Sequence, residues 1–126
     1  MTLHKILVVD DEPQMRRVLR ASLIAHGYEV IEAGSGEEAL TRLNGQHFDC
    51  VLLDLNLPGI DGVQTCRAIR TDSQVPVLVV SIRDSEKDKI AARDAGADGY
   101  ITKPFGVEEV LPHIESLIAK ESDNHS

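Results

Sequence analysis

Five short apolar runs alternate along this chain with segments of helical periodicity. The runs consist mainly of Val, Ile and Leu, which is typical of strands that are buried on both faces. Strands that alternate with helices predict an α/β fold in which helices cover both faces of a parallel sheet. Right-handed crossovers restrict the topology to a doubly wound, five-stranded parallel sheet. The predicted strands lie at 5–9, 29–33, 50–53, 77–80 and 100–102.

Two helix starts carry clear local signals. Pro13 lies in the first turn of the first predicted helix, a position where its missing N–H costs no hydrogen bond. Ser35 precedes Glu38 by three residues, which is the spacing of a capping box at the start of the second helix.

The fifth helix contains an unfavourable residue. It begins near Val107, and Pro112 lies about six positions inside it, where proline removes a backbone hydrogen bond and crowds the preceding turn. We therefore expect a kink or a weakened helix start. Residues 1–120 form one predicted domain, and the polar residues 121–126 are predicted to be a disordered tail or a linker stub.

Charge and cysteine content restrict the partners and the compartment. A net charge of −8 speaks against direct binding of nucleic acid by this chain. The sequence has no signal-type or membrane-spanning apolar stretch, so no membrane association is expected. Cys50 and Cys66 lie in apolar patterns without metal-binding spacing, which favours two buried thiols and a cytoplasmic location.

Polar residues follow four of the five predicted strands. Because parallel strands all end at the same edge of the sheet, we expect the side chains at these ends to share one crevice, where α/β sheets bind their ligands. Three carboxylates in one crevice repel each other unless a cation joins them, and Mg²⁺ binds carboxylates alongside a phosphate. An aspartate nucleophile that forms an aspartyl phosphate is chemically reasonable there. The converging residues are Asp10, Asp11, Asp54, Ser81 and Lys103.

Each of these residues also has a purely structural interpretation. Asp11 is a candidate N-cap of the first helix, and Asp54 taken alone is a candidate loop or cap residue. A Ser at the end of a strand is usually structural, and an exposed Lys usually only solvates a surface. Their joint placement at one edge of the sheet favours the functional interpretation.

With these residues in view, the chain resembles the response-regulator receiver domains of bacterial two-component signalling. The resemblance covers residues 5–120, and it implies a flavodoxin-like (βα)5 sheet with strand order 2-1-3-4-5. It also implies a signalling phosphoacceptor rather than an enzyme, phosphorylated by a partner sensor histidine kinase. The matching segments are VVDDE at 8–12, LDLNLPGIDG at 53–62, VS at 80–81 and GADGYITKPF at 96–105.

The resemblance implies a role for each matching position. Asp54 is the phosphoacceptor, and it binds Mg²⁺ together with Asp10, Asp11 and the backbone carbonyl of Asn56. Ser81 and Lys103 assist the chemistry, and Ser81 and Tyr100 form the switch. The bond between Lys103 and Pro104 is cis in the family. Activation changes the face formed by the fourth helix, fifth strand and fifth helix, and Lys89, Asp98, Glu109 and His113 lie on this output face.

Within the family the chain is most similar to the OmpR/PhoB group, and there to the regulators of potassium-transport (KDP) operons. Arg83 and the segment DKIAA at 88–92 carry that similarity. Members of this group form a homodimer on activation and normally continue into a DNA-binding domain that controls transcription. We expect that this chain was either excised from such a regulator or acts alone through protein contacts.

Two departures from the family pattern, one at Ile82 and one on the output face, affect the expected behaviour. Ile82 replaces a small residue and is expected to crowd the mouth of the phosphorylation site. His113 stands where Arg is usual, beside Pro112, and Gly99 replaces an acidic residue, so the dimer is expected to be weakened or pH-sensitive. Surface ion pairs contribute only about 0–1 kcal/mol each, which limits the expected loss.

Two other classes of protein fit the sequence less well. A small phosphohydrolase with an aspartate nucleophile needs a second acid two residues after Asp54, and position 56 is Asn. It also needs a cap or substrate pocket, for which 126 residues leave little room. A flavin-binding module needs a Gly-, Ser- and Thr-rich phosphate loop after the first strand, where this chain has acidic residues.

Overall fold

A computed structural model describes residues 3–124 of the chain. Five strands alternate with five helices, as the sequence predicts, and the predicted strand bounds differ from those observed by at most one residue. The strands are β1 (Lys5–Val9), β2 (Glu29–Ala33), β3 (Cys50–Leu53), β4 (Val77–Ser81) and β5 (Gly99–Thr102). The helices are α1 (Pro13–Ala25), α2 (Gly36–Gly45), α3 (Gly62–Asp72), α4 (Glu86–Asp94) and α5 (Val107–Asn124).

The strands form one parallel sheet in the order β2-β1-β3-β4-β5, which confirms the predicted fold class. The chain order reverses at β1, because β2 lies on one side of it and β3 on the other. In the pairing of β1 with β3, Val9 lies opposite Leu53, so these two strands end side by side. The residues that follow them therefore enter the same crevice.

The sheet separates two apolar layers. Successive side chains of a strand point to opposite faces, so Leu7 packs into the layer under α2, α3 and α4, and Ile6 packs into the layer under α1 and α5. The three central strands β1, β3 and β4 are buried almost throughout, whereas the edge strands β2 and β5 are partly exposed. Leu19, Leu23, Ile114 and Ile118 from the two covering helices fill the second layer. Both thiols are buried as predicted, and burial raises the pKa of Cys50 to about 12.

Polar contacts close the helix starts. The Ser35 hydroxyl accepts the Glu38 N–H at 3.1 Å, but the Glu38 carboxylate accepts the N–H of Gly34 rather than that of Ser35. The predicted capping box is therefore only half formed. A complete box lies at α3, where Asp61 and Gln64 each accept the backbone N–H of the other.

Helix α5 continues past the predicted end of the domain. It is unbroken from Val107 to Asn124 although Pro112 lies inside it, so residues 121–124 are helical where a disordered tail was predicted. The buried side chains of Val110, Ile114 and Ile118 hold this helix on the sheet around the exposed proline. The kink at Pro112 and the domain boundary at 120 stay predictions, and residues 125 and 126 lie outside the described part.

Among residues 3–124, no helix combines the length and the apolar character that crossing a membrane requires.

Candidate functional site

Three carboxylates meet at the carboxyl edge of the sheet. Asp10 and Asp11 follow β1, Asp54 follows β3, and one carboxylate oxygen of each lies within 4.8 Å of the others. Asp54 is 4% exposed and Asp10 is 1% exposed, whereas Asp11 is open to solvent. The sequence prediction that these residues converge is therefore confirmed by the geometry.

Backbone groups hold the two buried carboxylates in place. Asp10 Oδ1 accepts the N–H of Glu12 at 2.9 Å, and Asp54 Oδ1 accepts the N–H of Asn56 at 3.0 Å. The Asp54 backbone N–H also continues the sheet by donating to the carbonyl of Val9 at 3.0 Å. One oxygen of each carboxylate is thus fixed, and the other faces the shared crevice.

Lys103 reaches into the same crevice from the end of β5. Its Nζ lies 3.0 Å from Asp10 Oδ2 and 3.2 Å from Asp54 Oδ2, and its side chain is 9% exposed. The Lys103 backbone N–H donates to the carbonyl of Ser81, and the peptide bond to Pro104 is cis, as predicted. The ammonium group thus joins the ends of β1, β3 and β5.

The charges in this cluster do not balance. Burial raises the pKa of Asp54, and Asp10 raises it further, while the Asn56 N–H and Lys103 oppose the shift. Burial alone would lower the pKa of Lys103, but its hydrogen bonds and attraction to the two aspartates outweigh burial and raise it. Three carboxylates and one ammonium leave an excess of negative charge among oxygen donors, which fits a hard divalent cation such as Mg²⁺.

Ser81 and Tyr100 bind the same residue from two sides. The buried Ser81 hydroxyl accepts the backbone N–H of Arg83 at 3.1 Å, and the Tyr100 hydroxyl donates to the backbone carbonyl of Arg83 at 2.6 Å. Burial raises the pKa of Tyr100, and contact with Ser81 opposes that shift. The loop after β4 therefore connects the end of β4, next to the acidic crevice, to the aromatic ring on β5.

Comparison with known proteins assigns the chain to a family. The sequence profile of the response regulator receiver domain matches residues 6–115. The chain belongs to this family. Receiver domains are the phosphate-accepting modules of two-component signalling.

Similar proteins fall in the predicted group. The transcriptional regulatory protein KdpE of Mycobacterium tuberculosis (strain H37Rv) is 43% identical over 117 residues, which are 93% of this chain and 52% of KdpE. The receiver thus spans about half the length of the curated relatives that it matches, which include OmpR/PhoB-type transcriptional regulators.

Solved receiver structures share the fold. A CheY-like receiver domain protein from Methanospirillum hungatei JF-1 superposes with a TM-score of 0.92 at 27% identity, covering 98% of this chain and 99% of the other. The response regulator TrrA of Thermotoga maritima, solved with Mg²⁺ and BeF, has a TM-score of 0.84 at 33% identity, covering 91% and 99%.

The predicted output-face residues are spread over three elements, and Lys89 and Asp98 line one shared cleft. Lys89 lies on α4, Asp98 lies just before β5, and Glu109 and His113 lie on α5. A Cβ atom placed on Gly99 would lie 3.9 Å from His113 Nδ1, so the two positions that depart from the family pattern are neighbours. The role of this face in dimerisation stays a prediction.

Sequence reasoning missed a structural contact of Asp98. The guanidinium of Arg70 lies 2.6 Å from Asp98 Oδ2 and also donates to the carbonyls of Gly96 and Val75. Asp98 Oδ2 in turn accepts the backbone N–H of Val77 at 2.9 Å. Arg70 thus ties the loops before β4 and β5 together. No local sequence motif predicts these contacts of Arg70, because its partners lie up to 28 residues away in the sequence.

A second unpredicted residue supports the acidic cluster. Arg16 on α1 donates to the backbone carbonyl of Asp10 at 2.7 Å and pairs with Glu32 on β2 at 3.1 Å. The sequence predicts that Arg16 lies on the first helix. Its contacts with Asp10 and Glu32 could not be predicted, because they depend on how α1 packs on the sheet.

Removal of the Asp54 charge is expected to stabilise the receiver at neutral pH without Mg²⁺. Because the folded-state pKa of Asp54 is raised, its charged form costs stability above that pKa, and the cost disappears as the pH falls through it. In urea unfolding at pH 7 we expect Asp54→Asn to be more stable than the wild type by about 1 kcal/mol. The difference should shrink towards acidic pH, and Glu115→Gln, which removes an exposed carboxylate in the middle of α5, should show no comparable gain. An Asp54→Asn variant that is less stable than the wild type at pH 7 contradicts the expectation.

Proposed function

We propose that Asp54 accepts a phosphoryl group from a phosphohistidine of a partner sensor histidine kinase. The observation that carries the proposal is the placement of a buried Asp54 carboxylate 3.2 Å from the ammonium of Lys103 and beside the carboxylates of Asp10 and Asp11. An oxygen of Asp54 forms the new bond to phosphorus as the bond from phosphorus to the histidine nitrogen breaks. Positioning and charge neutralisation suffice for such a transfer.

The residues around Asp54 have two proposed roles, which are to hold Mg²⁺ and to contact the phosphoryl group. Asp10, Asp11, Asp54 and the backbone carbonyl of Asn56 would hold Mg²⁺, which supplies neutralisation of the phosphoryl charge when bound. The similar TrrA was solved with Mg²⁺ and BeF, which supports Mg²⁺ as the ion. Lys103, already paired with Asp54, contacts a phosphoryl oxygen. The receiver therefore assists its own phosphorylation and dephosphorylation and is a signalling phosphoacceptor rather than an enzyme.

The shared contacts of Arg83 provide a route from Asp54 to the output face. When the Ser81 hydroxyl turns towards a phosphoryl oxygen, it releases the backbone N–H of Arg83 that it now accepts. The same residue holds the hydroxyl of Tyr100 through its carbonyl. A change at Ser81 is thereby transmitted to Tyr100 on β5 and to the adjoining face of α4 and α5, which is the two-state element that a phosphorylation switch requires.

The output is proposed to be control of transcription in the cytoplasm. The curated relatives are transcriptional regulators about twice as long as this chain, which supports a role beside a DNA-binding domain. A stand-alone receiver that acts by protein contacts is the alternative. In either case the receiver, with its net charge of −8, is not the part that binds DNA.

Phosphorylation is tested directly by intact mass. We expect incubation with acetyl phosphate and Mg²⁺ to add one phosphoryl group to the wild type and none to Asp54→Ala. Asp94→Ala removes an exposed carboxylate on α4 and should be labelled like the wild type. An adduct on Asp54→Ala, or full labelling of the wild type without Mg²⁺, refutes the proposed site.

Ile82 is expected to slow this chemistry. Its side chain is 66% exposed, and it lines an apolar cleft with Phe105 beside Lys103. A small residue would open the approach to Asp54, so Ile82→Ala should be phosphorylated and hydrolysed faster in the same assay. Val18→Ala, which shortens another apolar side chain that lines the same cleft, is the control. Unchanged rates in Ile82→Ala remove this role from the side chain.

The activated dimer is expected to be weak. Gly99 and His113 are neighbours on the output face, and neither supplies the permanent charge that is usual there. An acidic residue and an arginine at these positions would contribute one surface ion pair of about 0–1 kcal/mol, so its loss should loosen the dimer by up to about fivefold. Sedimentation of the beryllofluoride-activated protein measures this, with the double variant Gly99→Asp and His113→Arg, which should dimerise more tightly, as the comparison. A wild-type dimer as tight as that of the double variant contradicts the expectation.

A further inference from the structure

Two histidines flank one aspartate at the edge of the sheet opposite Asp54. His4 precedes β1 and Asp49 precedes β3, and these two strands are neighbours in the sheet. His4 Nδ1 lies 3.6 Å from Asp49 Oδ2, and His47 Nε2 lies 3.3 Å from Asp49 Oδ1. None of the three residues belongs to the acidic cluster or to the output face.

The aspartate is held rigidly by the backbone. Asp49 Oδ2 accepts the N–H of Lys5 at 2.8 Å, and the N–H of Asp49 donates to the carbonyl of Lys5 at 2.8 Å. Phe48 is buried and anchors the segment between α2 and β3, so that His47 and Asp49 stand on either side of a fixed residue. A metal ligand is commonly oriented by such a second hydrogen bond to its carboxylate.

The two imidazoles are exposed to solvent. The side chain of His47 is 83% exposed and that of His4 is 53% exposed. The three groups do not converge in this structure: within residues 3–124 only the acidic cluster has three possible ligand atoms within 4.8 Å of each other. A shared ion therefore requires the exposed imidazoles to turn towards it.

The ligand types select one class of ion. Two imidazoles and a carboxylate suit Zn²⁺ and related transition metals, whereas Mg²⁺ prefers oxygen donors. The two imidazole nitrogens lie 3.3 and 3.6 Å from the two oxygens of the Asp49 carboxylate, so both rings are next to the position of an ion bound to Asp49. The site borders an open cleft of about 510 Å³, from which water can complete the coordination.

We propose that His4, His47 and Asp49 bind a divalent transition-metal ion of the Zn²⁺ type. The ion would join the start of β1 to the segment before β3. This site is separate from the Mg²⁺ site at Asp54, and it stands whether or not Asp54 is phosphorylated.

Zn²⁺ titration of the full, tag-free chain by calorimetry tests the site. Millimolar Mg²⁺ is present throughout, because it occupies the acidic cluster and competes poorly for imidazole. We expect one Zn²⁺ per chain, and a loss of affinity of about tenfold or more in His47→Ala and in His4→Ala. His26→Ala is the matched control and should leave binding unchanged, since this exposed imidazole lies on the turn after α1 and its ring is hydrogen-bonded to the carbonyl of Ser22.

Asp49→Asn provides a second, independent variant. The amide oxygen of Asn can still accept the Lys5 N–H, so the fold is kept while the ligand charge is lost, and Zn²⁺ affinity should fall as in the histidine variants. The proposal is overturned if the wild type takes up no Zn²⁺ in the presence of Mg²⁺. It is also overturned if His26→Ala loses as much affinity as His47→Ala, or if Asp54→Ala abolishes the binding.

Discussion

The contact of the Lys103 ammonium with Asp10 and Asp54 is the interaction on which the functional end of this receiver depends. Lys103 Nζ lies 3.0 Å from Asp10 Oδ2 and 3.2 Å from Asp54 Oδ2, so the ammonium joins the ends of three strands that are far apart in sequence. Without it, two buried carboxylates would face each other in a crevice that also holds Asp11. Burying a charge without a partner is costly. One ammonium compensates only part of the negative charge, and the remaining excess makes the site suited to Mg²⁺ and a phosphoryl group.

The backbone of Arg83 links this chemistry to the surface. Ser81 accepts its N–H and Tyr100 donates to its carbonyl, so two side chains of the proposed switch share one loop residue. Elsewhere the loops at this sheet are tied by strong charge-assisted contacts, such as that of Arg70 with Asp98 at 2.6 Å. Arg83 in the loop after β4 is held by these two neutral hydrogen bonds, which are individually weaker, and by a long ion pair with Asp88 at 3.8 Å.

Much of the site was predictable because parallel strands all end at one edge. The apolar runs gave strand ends to within one residue, and the polar residue after each end therefore belonged to the shared crevice. The cis peptide bond before Pro104 was predicted from the family resemblance, because the local sequence alone does not indicate a cis bond. Arg70, Arg16 and the partners of Asp49 were missed, because a long side chain chooses its partner from residues that only the packing of helices on the sheet brings near.

The sequence by itself determined the α/β class, the doubly wound topology, the buried thiols and the set of residues that meet at Asp54, since these follow from periodicity and from the common direction of the strands. The tertiary structure decided which oxygen of each carboxylate is fixed, that Ser81 and Tyr100 meet at Arg83, and that two histidines flank Asp49 at the opposite edge. It also decided that α5 runs through Pro112 to Asn124, because burial of Val110, Ile114 and Ile118 against the sheet outweighs the local cost of a proline. Periodicity can be read from residues that are close in sequence. These contacts join residues that are far apart in sequence, and only the packing of helices on the sheet sets the distances between them.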